Sequence, residues 1–163
     1  MDARAREVIE RLGLEPHPEG GYFAETYRAR VRVATSAGER SAGTAIFYLV
    51  TPDSFSTLHR VTSDEVFHFY LGDPVEMLQF DEAGRVERLV LGPDLAAGMR
   101  PQALVPAGTW QGSRLAEGGT FALLGATVAP GFDFADFELG ERVDLMERFP
   151  QLANDIALLT VAR

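Results

Sequence analysis

Cysteine is absent from this chain, which removes disulfides, thiolate zinc sites and cysteine nucleophiles together. No apolar run approaches the ~20 residues that a membrane span needs. The opening Met1-Asp-Ala-Arg-Ala-Arg-Glu7 lacks the apolar stretch of a secretory signal. Basic residues are in deficit, 15 against 24 acidic, for a net charge of −9, and no Lys/Arg cluster stands out. Nucleic acid and anionic membrane surfaces are therefore not expected partners. The Gly-rich, Lys-Ser/Thr phosphate loop, the Gly-x-Ser-x-Gly elbow and the His-Glu-x-x-His helix are missing too. A cytoplasmic protein is the simplest reading of these absences.

What is there is ordinary for a globular chain: 163 residues, 46% hydrophobic and 24% charged. That length predicts one domain, 1–163, burying about two-thirds of its unfolded surface. Asp2 is a plausible N-cap, and Ala5, Val8, Ile9 and Leu12 share one helical face before Gly13. Pro16, Pro18 and Gly20-Gly21 forbid regular structure in the next stretch. Extended patterns follow from Tyr22, at Val31 and Val33, over Thr44 to Val50, and near 65–71, 75–80, 86–91, 102–105 and 120–128. Gly72-Asp-Pro74 and Asp81-Glu-Ala-Gly84 carry turn chemistry, the second a hairpin signal. Phe132 to Phe137 reads as an irregular packing segment. Val143 to Phe149 is helical and stops at Pro150, and Leu152 to Leu159 adds a final turn. Roughly seven or eight short strands with small helices at both ends predict a mainly β sandwich or barrel, its core about residues 21–130.

The chemistry-bearing residues concentrate in two units, His59-Arg-Val-Thr-Ser-Asp-Glu65-Val-Phe-His68-Phe-Tyr-Leu-Gly72 and Pro106-Ala-Gly108-Thr-Trp-Gln111. Strand alternation puts Glu65, Phe67 and Phe69 on one face and Val66, His68 and Tyr70 on the other. His59, across the turn at Thr62, Ser63 and Asp64, is expected to fold back beside Glu65 as an acid–base pair. The plain alternative is a Glu65–Arg60 ion pair with His59 at the surface. His68, set among aromatics, suits a satisfied core or interface histidine as well as a ligand contact. Gln111 suits a substrate hydroxyl, and Trp110 either stacks on a ligand or packs. Tyr22, Glu25, Tyr27 and Arg28 follow two glycines and either line a polar pocket or form an exposed edge.

These units resemble the paired motifs of the cupin superfamily. His59, Glu65, Gly72, Pro106 and Gly108 match, over residues 59–111; Val61 and Gln111 stand where the family has histidines. Over about 12–160 the chain looks closer still to one cupin subfamily of uncharacterised proteins often labelled predicted sugar epimerases. Its signatures resemble Glu19-Gly-Gly-Tyr-Phe23, Phe55-Ser-Thr-Leu-His-Arg60, Ser63 to Pro74, Val105 to Gln111 and Ala129 to Phe137. The resemblance implies a double-stranded β-helix, a jelly-roll barrel with an interior pocket, commonly a homodimer. It does not imply a settled activity.

Cupin metal sites draw on three histidines and a glutamate, so two ligands are missing, and no cofactor is favoured. If a divalent metal binds, the expected set is His59, Glu65 and Gln111. The leading expectation is a metal-independent isomerase or epimerase beside a carbonyl. In it His59 takes a carbon proton, Glu65 orients it, and Tyr27 or Gln111 stabilises the enolate oxygen. Glu25, His68 and Trp110 complete the expected substrate contacts. The alternatives are a non-catalytic small-molecule-binding module and, less favoured, a metal-dependent dioxygenase.

Overall fold

The computed structural model describes residues 1–161; residues 162 and 163 of the expected 1–163 domain lie outside the described residues. Helix α1 (Ala3–Leu12) starts where Asp2 accepts hydrogen bonds from the amides of Arg4 and Ala5, and ends at Gly13 in the left-handed region. Then come β1 (Glu15–Pro16), β2 (Tyr22–Arg28), the hairpin β3 (Arg32–Thr35) and β4 (Gly38–Ser41), and β5 (Thr44–Val50). The central run is β6 (Ser56–Val61), β7 (Asp64–Gly72), β8 (Val75–Phe80), β9 (Val86–Leu91), β10 (Gln102–Val105), β11 (Trp110–Leu115) and β12 (Ala122–Ala129). The chain finishes with a 3-10 turn at Phe134–Asp136, β13 (Phe137–Leu139), α2 (Arg142–Arg148), a 3-10 turn at Pro150–Leu152 and α3 (Ala153–Leu158). No helix among the described residues is long and apolar enough to cross a membrane.

Two antiparallel sheets face each other, β1-β2-β5-β12-β7-β10 and β13-β6-β11-β8-β9. This is the expected jelly-roll barrel with short helices near both termini. Its interior holds Tyr48, Phe67, Met77, Leu91, Leu115 and Leu124. Helix α1 covers part of the outer face of the first sheet, packing Ala5, Val8, Ile9 and Leu12 against Leu49, Phe121 and Leu123, with Leu14 beside them. Helices α2 and α3 cover the second, closing Leu145, Phe149 and Ile156 over Leu58, Leu78 and Phe80. Alternation along each strand makes this layering work, because each sheet has two apolar faces to bury.

Strands that differ from the sequence expectation include β1, which reaches Pro16, β13, which begins at Phe137, and the two that carry the site, β6 and β11. β6 and β11 are regular strands that the periodicity did not announce. They turn polar residues inward, so the usual apolar-in pattern is inverted. Their register aligns Gln79, Gln111 and His59 as one interior row across β8, β11 and β6. A register shift between β6 and β11 brings Ser56 opposite Ser113, which reorients Ser56 toward the same interior.

Candidate functional site

A cavity of about 300 Å³ opens inside the barrel, with Glu19, His59 and Glu65 in its wall. All three are more than nine-tenths buried. His59 is fixed at both ring nitrogens. Nδ1 lies 2.8 Å from the Thr57 carbonyl, which can only accept, so that nitrogen carries hydrogen. Nε2 sits 3.1 Å from Glu19 Oε2. Burial pushes Glu19 up and His59 down from their ordinary values. Both directions favour a neutral pair sharing one proton over two separate charges.

Glu19 reaches His59 because its loop is stapled to β6. The amide and hydroxyl of Thr57 donate to the Glu19 carbonyl at 2.9 and 2.6 Å. Ser56 Oγ donates to Glu19 Oε1 at 3.0 Å, and Tyr48 donates to the Gly20 carbonyl at 2.7 Å. Gly20 has φ of 102° and passes so close to β6 that a Cβ there would lie 2.1 Å from the Phe55 carbonyl oxygen. His17 stands on the other side of the same carboxyl, its Nδ1 3.6 Å from Glu19 Oε2. That nitrogen accepts the Glu19 amide at 3.2 Å. Burial holds the His17 imidazole below its ordinary value, and Glu19 partly offsets this.

Glu65 enters from β7 in the other sheet. Gln111 donates to its Oε2 at 2.6 Å. Burial pushes Glu65 up to about 7, with Glu19 adding to the rise and His59 and Gln111 opposing it. At neutral pH this carboxyl is poised to gain or lose a proton.

Several expected site residues fall elsewhere. The carboxylate touching His59 is Glu19, so Glu65 is a separate group and not its orienting partner. Gln111 spends its amide on Glu65 and positions that carboxyl. β2 shifts register between Glu25 and Tyr27. The bulge reverses the alternation, leaving Tyr27 outside and 60% exposed while Arg28 joins Glu25 on the cavity wall. The expected phenol is therefore not in the site. His68 lies on the outer face of β7, 3.0 Å from Thr127 Oγ1 and 3.2 Å from the Gln102 amide, stacked beside Tyr70.

Trp110 is on the far side of its sheet, 1% exposed among Leu58, Phe80 and Phe149, with Arg60 over its ring. It is packing. Trp110→Ala should cost about 3–5 kcal/mol, read as a lower urea midpoint, and leave the His59 imidazole resonances in place. A shift of those resonances would return Trp110 to the site.

Sequence reasoning missed His17 and Glu19 as site residues. Their segment has no periodicity, being broken by Pro16, Pro18 and two glycines. The available signal was a His-x-Glu triplet immediately before a glycine pair, the arrangement that lets a backbone approach a neighbouring strand. The segment after β12, read as irregular packing, lines the cavity with Phe132, Asp133 and Phe134. Asp136 anchors it through a bidentate pair with Arg40 on β4, at 2.7 and 2.9 Å.

A cupin metal does not fit this donor set. His59 Nε2 is engaged by Glu19, Glu65 Oε2 by Gln111, and Val61 presents an apolar side chain to the cavity. The fallback set of His59, Glu65 and Gln111 is thus already paired. Among the described residues no three His, Asp or Glu side chains are arranged to hold a metal ion.

The family model described as Cupin_5, cupin superfamily (DUF985), matches residues 6–140. A hypothetical protein from Leishmania major has a solved structure similar to this chain, with a TM-score of 0.92 and 34% identity, covering 97% of this chain and 99% of that one. Protein SO0799 from Shewanella oneidensis is similar at a TM-score of 0.90 and 36% identity, over 98% of each chain. The uncharacterised Saccharomyces cerevisiae protein YML079W is 28% identical over 170 residues, covering 94% of this chain and 85% of its own length. With a barrel of this topology and a family match over most of its length, the chain belongs to the Cupin_5 (DUF985) family of the cupin superfamily.

Proposed function

We propose that the cavity is the active site of a small-molecule isomerase or epimerase that moves a proton on carbon beside a carbonyl, without a metal. The observation that carries this is the pairing of two acid–base units within one small cavity. One is Glu65 on β7, poised near neutrality; the other is the His59–Glu19 pair on the opposing sheet. Their partners differ, an imidazole for Glu19 and an amide for Glu65, which lets one unit give a proton while the other takes one.

In this reading the Glu65 carboxylate takes the proton from carbon. The shared proton of the His59–Glu19 pair passes from Nε2 to the carbonyl oxygen, giving a neutral enol. When Glu65 returns its proton to the adjacent carbon and the neighbouring hydroxyl gives its own to the His59–Glu19 pair, the isomer forms. When the original carbon is reprotonated on its other face and the enol O–H proton goes back to that pair, the epimer forms. His59 is thus the acid where the sequence expectation made it the base, and Glu65 is the base where it was expected to orient His59, because Glu19 takes the orienting place. The chain has neither lysine nor cysteine, so a lysine Schiff base and a thioester are closed to it. A sugar substrate follows only from the resemblance to proteins labelled predicted sugar epimerases.

The test is turnover in deuterated water with a panel of aldoses, ketoses and 2-hydroxy ketones, followed by proton NMR. One substrate should acquire deuterium at the carbon beside its carbonyl, and Glu65→Gln should stop the uptake. Binding in the cavity with no deuterium entering any compound would leave a small-molecule-binding cupin instead.

A further inference from the structure

We infer that the cavity takes an organic cation, a protonated amine or amidine with an apolar body, in preference to a neutral or anionic molecule. Four acids line it: Glu19, which shares a proton with His59, Glu25, which Arg28 neutralises, and Glu65 and Asp133, which have no salt bridge among the described residues and carry the negative character of the site. The cationic side chain among its lining residues is Arg28, already committed. Its Nε and Nη2 donate to the two Glu25 oxygens at 2.8 and 2.7 Å, and Nη2 also reaches the Phe132 carbonyl at 3.2 Å. The imidazoles of His17 and His59 add little positive charge, since burial disfavours their charged forms. A carboxylate or phosphate entering here would meet acids with no free cation among the described lining residues to pair with.

The walls favour a cation independently of the acids. Phe23, Phe132 and Phe134 line the same cavity. Phe132 and Phe134 meet edge to face at 4.9 Å, and Phe134 is 53% exposed, at the lip. Aromatic faces attract ammonium and guanidinium-like groups through the ring quadrupole, most strongly where water is excluded. Deeper in, Glu65 is 8% exposed, and the hydrogen bond given to its carboxyl by the described residues falls on Oε2, from Gln111. Oε1 is left for a ligand N–H. A cavity of about 300 Å³ is at the small end of ligand pockets, the size of a substituted single ring.

This inference concerns binding and does not rest on the isomerase or epimerase reading. The test uses three probes of one shape and different charge, benzamidine, benzamide and benzoate, titrated calorimetrically into the full chain at 150 mM salt, where attraction to the acidic surface is screened. Benzamidine should bind about tenfold or more tighter than benzamide, and benzoate should not bind. The preference for the cation should disappear in both Glu65→Gln and Phe134→Ala, two variants on different elements. Equal or tighter binding of benzamide or benzoate overturns the inference. So does benzamidine binding that both variants leave intact, and so does a panel in which nothing binds. Benzamidine binding with no deuterium uptake from any substrate would sink the isomerase reading alone. Deuterium uptake into a phosphorylated or carboxylated substrate would sink this one alone.

Discussion

Glu65→Gln should be more stable than the wild type at pH 8 and about equal to it at pH 4. Burial raises the Glu65 carboxyl from 4.5 to about 7 in the folded chain. Between those values the folded protein keeps a proton that the unfolded chain has lost. Stability from this group is therefore fully present below 4.5 and is lost as pH rises to about 7. At about 1.4 kcal/mol per pH unit, the loss reaches up to ~3 kcal/mol. Glutamine cannot ionise, fills nearly the same space and can still pair with Gln111, so it escapes the loss.

The histidines act in the opposite sense. His17 and His59 are held below their ordinary 6.5, so unfolding binds protons below that pH and stability from them rises as pH climbs to 6.5. Both proteins share that slope, which cancels from their difference to first order. Urea midpoints at pH 4, 6 and 8 measure it. A variant no more stable than the wild type at pH 8 would mean that Glu65 is ionised in the fold without cost, which removes its proposed role as a base poised near neutrality.

Gly20→Ala should cost about 3 kcal/mol or more and disconnect Glu19 from His59. The position has φ of 102°, where an alanine is strained, and the added Cβ would lie 2.1 Å from the Phe55 carbonyl oxygen. That obstacle is backbone at the entry to β6 and cannot swing away. The loop must lift, and with it go the Thr57 bonds to the Glu19 carbonyl and the Tyr48 bond to the Gly20 carbonyl. Gly118 provides the control, since it also has positive φ, at 81°, but open space around its Cβ. Gly118→Ala should therefore cost only about 1 kcal/mol. Urea unfolding reads the cost, and nitrogen NMR of the three histidines reads the site. His59 should shift in Gly20→Ala while His68, on the outer face of the barrel, stays in place. Equal costs for the two glycines, with His59 unmoved, would show that the loop is not what holds Glu19.

Much of the scaffold was legible from residue order. The cap at Asp2, the stop at Gly13, the strand patterns and the turns at Gly72 and Gly84 are local signals, and the folded chain keeps them. His59, Glu65 and Gln111 could be gathered into one region because their motifs are short and strongly patterned. β6 and β11 escaped because Ser56, His59, Gln111 and Ser113 are polar residues facing inward. Hydrophobic periodicity reports which side chains are apolar, not which face is interior.

Sequence by itself thus determined a mainly β sandwich or barrel with a histidine, a glutamate and a glutamine gathered in two motifs, and the resemblance to cupins narrowed it to a jelly roll with two metal ligands replaced. Tertiary structure decided their roles. Glu19 comes from a loop without periodicity, carried to His59 by close backbone packing across 40 residues of chain. Arg28 replaces Tyr27 on the wall because one bulge in β2 reverses the alternation. Both outcomes depend on register and on contacts distant in sequence, and a shift of a single residue reassigns every side chain that follows.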